Sequence, residues 1–182
     1  KMNFQELVKG CIKNDRLCQK ELYNQFYSYG LKTVMAYGNS IEDSREILND
    51  TFVKTFDSLK NYDLTQPFLP WFRLILVRTI INHYHKNQNK IITTELSTEI
   101  SNQYVADPDA LSHLEVEELL ALTNKLPPAY KMVLNLYAIE GYSHEEIAKL
   151  LKINVGTSKS NLFKARTFLA KLIAKSKFYI LF

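Results

Sequence analysis

The chain has little of what interrupts a helix. Among its 182 residues there are 5 Gly and 5 Pro. It also shows no alternating apolar and polar run long enough for a strand. These absences exclude a sandwich or barrel and predict an all-α protein. Cysteine is scarce too. Cys11 and Cys18 stand seven apart, without a C-x-x-C spacing or a neighbouring His pair. That excludes a disulfide framework and a zinc knuckle, and leaves two small apolar residues in a reducing compartment. Of the four histidines, His83 and His85 are separated by one residue and lack a carboxylate cluster. With no phosphate-cradling glycine loop and no nucleophile elbow, the expectation is a non-enzyme with no metal and no cofactor. No apolar run reaches the ~18 residues of a membrane span, and the N-terminus shows no signal-peptide pattern. The expected location is the cytoplasm, with no membrane insertion.

What is present is apolar bulk and unevenly placed charge. Apolar residues make up 46% of the chain, with 11 Tyr and 10 Phe, enough for a buried core. Residues 1–90 carry 13 Lys and Arg against 9 Asp and Glu, net +4. Residues 91–118 carry none against 7, net −7, and residues 119–182 carry 10 against 3, net +7. Two basic blocks flanking an acidic joint suggest two nucleic-acid contacts. Apolar periodicity predicts helices near 3–13, 15–37, 42–60, 68–88, 111–125, 127–140, 143–151 and 155–177. The stretch Ile91–Pro108 is rich in Ser, Thr, Asn and acids and lacks that periodicity. The expected layout is two small helical domains, 1–90 and 113–182, joined by an acidic flexible linker over 91–112.

The most specific segment is Gly141–Arg166, GYSHEEIAKLLKINVGTSKSNLFKAR. Ser143 followed by Glu146 fits a capping box, so a helix starts there, with Ile147, Leu150 and Leu151 as its buried stripe. Lys152–Asn154 makes the break, and Asn154 suits the N-cap of a second helix. That helix turns Val155, Leu162, Ala165 and Leu169 inward, and Thr157, Lys159, Ser160, Asn161 and Lys164 outward. The pattern is a helix-turn-helix, whose second helix enters a DNA major groove.

Two N-terminal segments add chemistry. In Ile41–Leu59, Leu48, Phe52, Phe56 and Leu59 form an inward stripe. Arg45, Glu46, Asn49, Asp50, Lys54 and Asp57 form the outer face. The loop Lys60–Pro70, KNYDLTQPFLP, leads into WFRLILVRTIINHYHKNQNK. There Arg73, Arg78, Asn82, His83, His85, Lys86 and Lys90 border aromatic rings. Cations interleaved with rings suit single-stranded DNA, where phosphates meet charge and bases stack.

In this order the segments resemble the sigma-70 family of bacterial transcription initiation factors, in its small extracytoplasmic-function form of the Bacteroidetes-like kind. REILNDTFVKTF looks like the family's polymerase-binding helix, PWFRLILVRTIINHYHKN like its −10 helix, and LPPAYKMVLNLYAIEGYSHEEIAKLLKINVGTSKSNLFKAR like its promoter-binding domain. The resemblance implies a factor that binds core RNA polymerase and opens promoters. Glu46, Asn49, Asp50 and Phe52 would lie at or beside the surface docking on the coiled coil of the largest polymerase subunit. The C-terminal domain would meet the polymerase flap. Asn61, Tyr62 and Asp63 would belong to a loop that receives a flipped base of the single-stranded −10 element. Trp71, Arg78, Asn82, His83 and Lys86 would lie beside it. Thr157, Lys159, Ser160, Asn161, Phe163, Lys164 and Arg166 would meet the −35 duplex.

An anti-sigma factor is the usual partner in this family. The chain departs from the pattern at Arg78 and Asn82, where Asn and Asp are commoner, and at His85 and Asn161, where Arg is. Ser158 stands where an apolar residue is usual. Arg166 is the only arginine after Arg78, and bidentate guanine reading favours Arg. These departures suggest a mainly electrostatic grip and an accessory DNA-targeting protein. The helix-turn-helix also resembles the end of LuxR-type regulators, so the competing expectation is a two-domain DNA-binding regulator that does not bind polymerase.

Overall fold

A computed structural model describes residues 3–91 and 122–180, with side-chain surroundings for 3–88 and 122–174. The described residues form seven α-helices and one 3₁₀ turn, without strands. The helices are α1 (Phe4–Ile12), α2 (Arg16–Ala36), α3 (Ile41–Ser58), α4 (Phe68–Ile91), α5 (Pro128–Ala138), α6 (His144–Leu151) and α7 (Val155–Ile180). The acidic segment and most of the helix expected at 111–125 lie outside the described residues. The chain divides into two units, Lys1–Met35 with Asn39–Asn89, and Ala36–Gly38 with Lys90–Phe182.

In the first unit the starts of α1, α2 and α3 are written locally. The Asn3 side chain accepts from the Glu6 amide at 2.8 Å, and the Asn3 amide donates back to Glu6 at 3.1 Å, a complete capping box opening α1. Asn14 turns the chain at a positive φ of 61°, a region that Asn tolerates better than most residues. Asp15 then accepts the Leu17 and Cys18 amides at 2.8 and 3.2 Å and starts α2. Ser40 caps α3 through the Asp43 amide.

Rings fill the interior. Phe26, Phe52 and Phe68 surround the fully buried Phe72 at centroid distances of 5.7, 5.3 and 6.0 Å. The buried hydroxyls of Thr51 and Thr55 donate to the carbonyls one turn back, at 2.7 and 2.8 Å, so they cost little. At Gly30 an added Cβ would stand 2.4 Å from Leu48, which shows how closely α2 approaches α3. Burial pushes the Cys11 thiol up to about 11, with Cys18 and Asp15 adding to it, so that thiol is a poor nucleophile.

The second unit has an aliphatic interior. Leu122, Leu126, Ala165, Leu169 and Ile173 form one cluster, edged by Tyr130, Leu134, Phe168 and Leu172. Pro128 occupies the first turn of α5, where its missing N–H leaves nothing unsatisfied. Ser143 and Glu146 form the expected capping box of α6, at 3.2 and 2.8 Å. The Ser143 amide and hydroxyl hold the Glu146 carboxyl below its ordinary range. The α6–α7 turn passes through Lys152 in the left-handed region, φ 56°.

Candidate functional site

Three exposed regions carry the chemistry anticipated from the sequence. The first is the outer face of α3. Arg45, Glu46, Asn49, Lys54 and Asp57 are exposed and Asp50 is half-buried. Helical spacing adds Val53, 60% exposed, four residues beyond Asn49 and three beyond Asp50. The sequence reading missed Val53, although its i+3 and i+4 position on that face was there to find. Phe52 needs correction. It is 2% exposed and packs at 4.5 Å on Tyr23 and 5.3 Å on Phe72, so it supports the face from beneath.

The second region is the turn Leu59–Asn61, the loop after it and the outer side of α4. Asn61 is exposed. Tyr62, expected to meet a base, is instead 8% exposed. It packs on Trp71 at 4.8 Å and Phe68 at 5.5 Å, and its hydroxyl donates to the Gln66 carbonyl. Its ring is committed to the core because the loop folds over it. Asp63 is exposed but accepts the Thr65 amide at 2.9 Å and hydroxyl at 2.8 Å, which lowers its pKa. It serves first as the staple of the loop. Trp71 is half-buried.

Along α4, Arg78, Asn82 and Lys86 are exposed at intervals of four and share one outward face. Arg73 is not part of that face. Its guanidinium donates to the Tyr29 hydroxyl and lies 5.8 Å from that ring. His83 is the third correction, after Phe52 and Tyr62. Its side chain is 12% exposed and faces Asp50 and Glu46 of α3, 3.5 and 3.8 Å away, so it does not share the outward face of Arg78 and Asn82. A step of one residue turns a helix by about 100°, enough to move His83 from the Arg78–Asn82–Lys86 face to the α3 side.

The third region is α7. Thr157, Lys159, Ser160, Phe163, Lys164 and Arg166 are exposed and Asn161 is half-buried. Phe163 is 56% exposed, an apolar contact suited to a thymine methyl. Two of the cations rest on rings, Lys164 at 5.9 Å from Tyr130 and Arg166 at 5.8 Å from Tyr137. Ser158, the departure from an apolar pattern, is completely buried. Its hydroxyl shares a hydrogen with Nδ1 of His144 at 2.9 Å, and the His144 ring stacks on Tyr137 at 4.7 Å. One hydrogen bond thus ties the first helix of the motif to the second. Nothing periodic in the sequence pointed to a partner fourteen residues upstream.

Among the described residues no group of three or more His, Cys, Asp or Glu is arranged to hold a metal ion. None of their helices is long and apolar enough to cross a membrane.

This arrangement is that of a helical DNA-binding protein of sigma type. The family described as sigma-70, region 4, matches residues 116–169, the span of the helix-turn-helix and its preceding helix. The sigma-H factor of Pseudomonas aeruginosa is 23% identical over 93% of both chains. The ECF sigma-E factor of Haemophilus influenzae is 25% identical over 93% of this chain and 94% of its own. The sigma factor RpoE of Bartonella quintana, solved with the anti-sigma factor NepR, shares the fold at a TM-score of 0.50. It is 16% identical and is covered over 96% of its length by 85% of this chain. The chain belongs to the sigma-70 family and is an extracytoplasmic-function RNA polymerase sigma factor. Such factors place the polymerase and are not enzymes.

Proposed function

We propose that the three exposed regions divide the work of initiation. The α3 face of Glu46, Asn49, Asp50 and Val53 docks core RNA polymerase, with the coiled coil of its largest subunit as the acceptor. The folded loop after α3 and the Arg78–Asn82–Lys86 face hold the single-stranded −10 element. The α7 face grips the −35 duplex, while the second unit meets the polymerase flap. On this reading residues 1–90 bind polymerase and the −10 element, 91–112 connect, and 113–182 bind the −35 element.

The observation that carries the reading is the outward face of α7. Its lysines, Phe163 and Ser160 are exposed on a helix that the Ser158–His144 hydrogen bond ties to α6. Lysine-dominated contact implies a steep salt dependence, since each neutralised phosphate releases counterions. Replacing Lys159 and Lys164 together with Ala should weaken −35 duplex binding by the holoenzyme and lower the salt slope by roughly 2. Polymerase association should stay intact, as a titration with labelled core enzyme would show. Asp50→Lys should do the reverse, blocking assembly by reversing the sign of the docking face.

An anti-sigma protein is the proposed regulator, by analogy with the Bartonella quintana complex. An accessory DNA-targeting protein is a corollary of the arginine-poor α7, whose single arginine lies against Tyr137. Run-off transcription over a whole genome with holoenzyme alone tests this. Scattered initiation supports a helper, and motif-restricted initiation removes the need for one. A regulator independent of polymerase is disfavoured, because the relatives matched over nearly the whole chain are sigma factors.

A further inference from the structure

Helix α4 presents two kinds of residue to two places. Arg78, Asn82 and Lys86 face outward. His83 leans on α3, where its Nε2 is enclosed without a formed hydrogen bond, 3.5 Å from Asp50 and 3.8 Å from Glu46. A ring nitrogen enclosed in this way is costly unless a partner comes within reach. Two carboxylates within 4 Å supply that partner after a small rotation. Both acids keep an outer side toward solvent, at 45% exposure for Asp50 and 68% for Glu46. On the other flank, the Tyr23 hydroxyl of α2 donates to Asn49 at 3.2 Å. Residues of α2 and α4 therefore brace three adjacent polar side chains of one α3 face.

We propose that His83 is a positioning residue for polymerase docking: its imidazole holds Asp50 and Glu46 over α3, so that a cationic partner surface meets them already placed. The proposal rests on the docking role of α3. It moves His83 from the DNA-contacting set to the polymerase-contacting one, and it ties the helix that carries the −10 face to the helix that docks. The imidazole touches no DNA. Its effect passes through the two acids.

Fluorescence titration of the full chain with core polymerase tests it in a double-mutant cycle. His83→Leu keeps the volume but deletes the donor, and should weaken polymerase binding roughly three- to tenfold. His83→Gln retains a donor and should recover part of that loss. In an Asp50→Asn background, His83→Leu should cost little more, because the acid it places has lost its charge. Open-complex formation at saturating polymerase should match that of the unaltered protein. Fully additive losses would overturn the proposal, as would normal docking by His83→Leu beside impaired docking by Asp50→Asn. A defect confined to promoter opening would return His83 to the DNA side. Normal docking by Asp50→Asn and Asp50→Lys alike would overturn the docking reading of α3 itself. Thermal unfolding of each variant separates a folding defect from a docking one, with His83→Gln as the milder substitution.

Discussion

The two units use aromatic residues in opposite ways. In the first, rings are the interior: Phe26, Phe52, Phe68 and Phe72 fill the space between helices, and Tyr62 and Trp71 close it beneath the loop. In the second, Leu, Ile and Ala fill the interior, while Tyr130 and Tyr137 lie at its margin under Lys164 and Arg166. These rings are core in the first unit, whereas Tyr130 and Tyr137 are rests for cations in the second, a use the first unit makes of Tyr29 beneath Arg73. Composition alone does not distinguish these uses. Helical phase does, because it decides whether a ring meets other rings or the stem of a surface cation.

The contrast can be broken at its strongest point. Phe72→Ala removes the centre of the ring cluster and should destabilise the first unit by about 3–5 kcal/mol. Chemical denaturation followed by near-ultraviolet dichroism would measure it. Leu136→Ala, at an equally buried aliphatic position, should cost less. Equal costs would mean that ring packing confers nothing special.

A smaller effect tests the polar lock in the second unit. Ser158→Val should cost about 1–2 kcal/mol by leaving His144 without its partner, and should also loosen duplex binding. Ser158→Val combined with His144→Leu should recover most of the stability, since removing both partners leaves nothing unsatisfied. If the single change is already neutral, the bond contributes little.

Lys131 offers a milder test. Its amine is buried, donates to Asn124, and has its pKa lowered by burial to about 8. Between about 8 and the ordinary lysine range, the unfolded chain binds more protons than the folded one. Stability from this group therefore rises with pH across that window, and below it the burial penalty is felt in full. Lys131→Met should stabilise the unit by about 1 kcal/mol at neutral pH, with the gain shrinking toward pH 10 in thermal melts. The smallest expected effect is at the turn. Lys152→Gly should add about 0.5 kcal/mol by relieving a left-handed side-chain residue.

Much of this was legible in the chain. The capping box at Ser143 and Glu146 fixed the start of α6, and Leu162, Ala165 and Leu169 fixed the inward side of α7, because both signals lie within a few residues. What escaped were pairings across helices. Tyr62 and His83 sit in motifs with a known role, yet their side chains turned toward neighbours whose approach no local spacing reveals. Phe52 failed for the opposite reason. Its stripe was read correctly as inward, and the resemblance alone drew it toward a surface.

The loop after α3 is stapled from within, by Asp63 on Thr65 and by the Tyr62 hydroxyl on Gln66. Its backbone entropy has therefore been given up during folding. If this loop receives a base of the opened strand, it does so as a finished mould. The binding energy gained there need not order protein and can be applied to unstacking DNA.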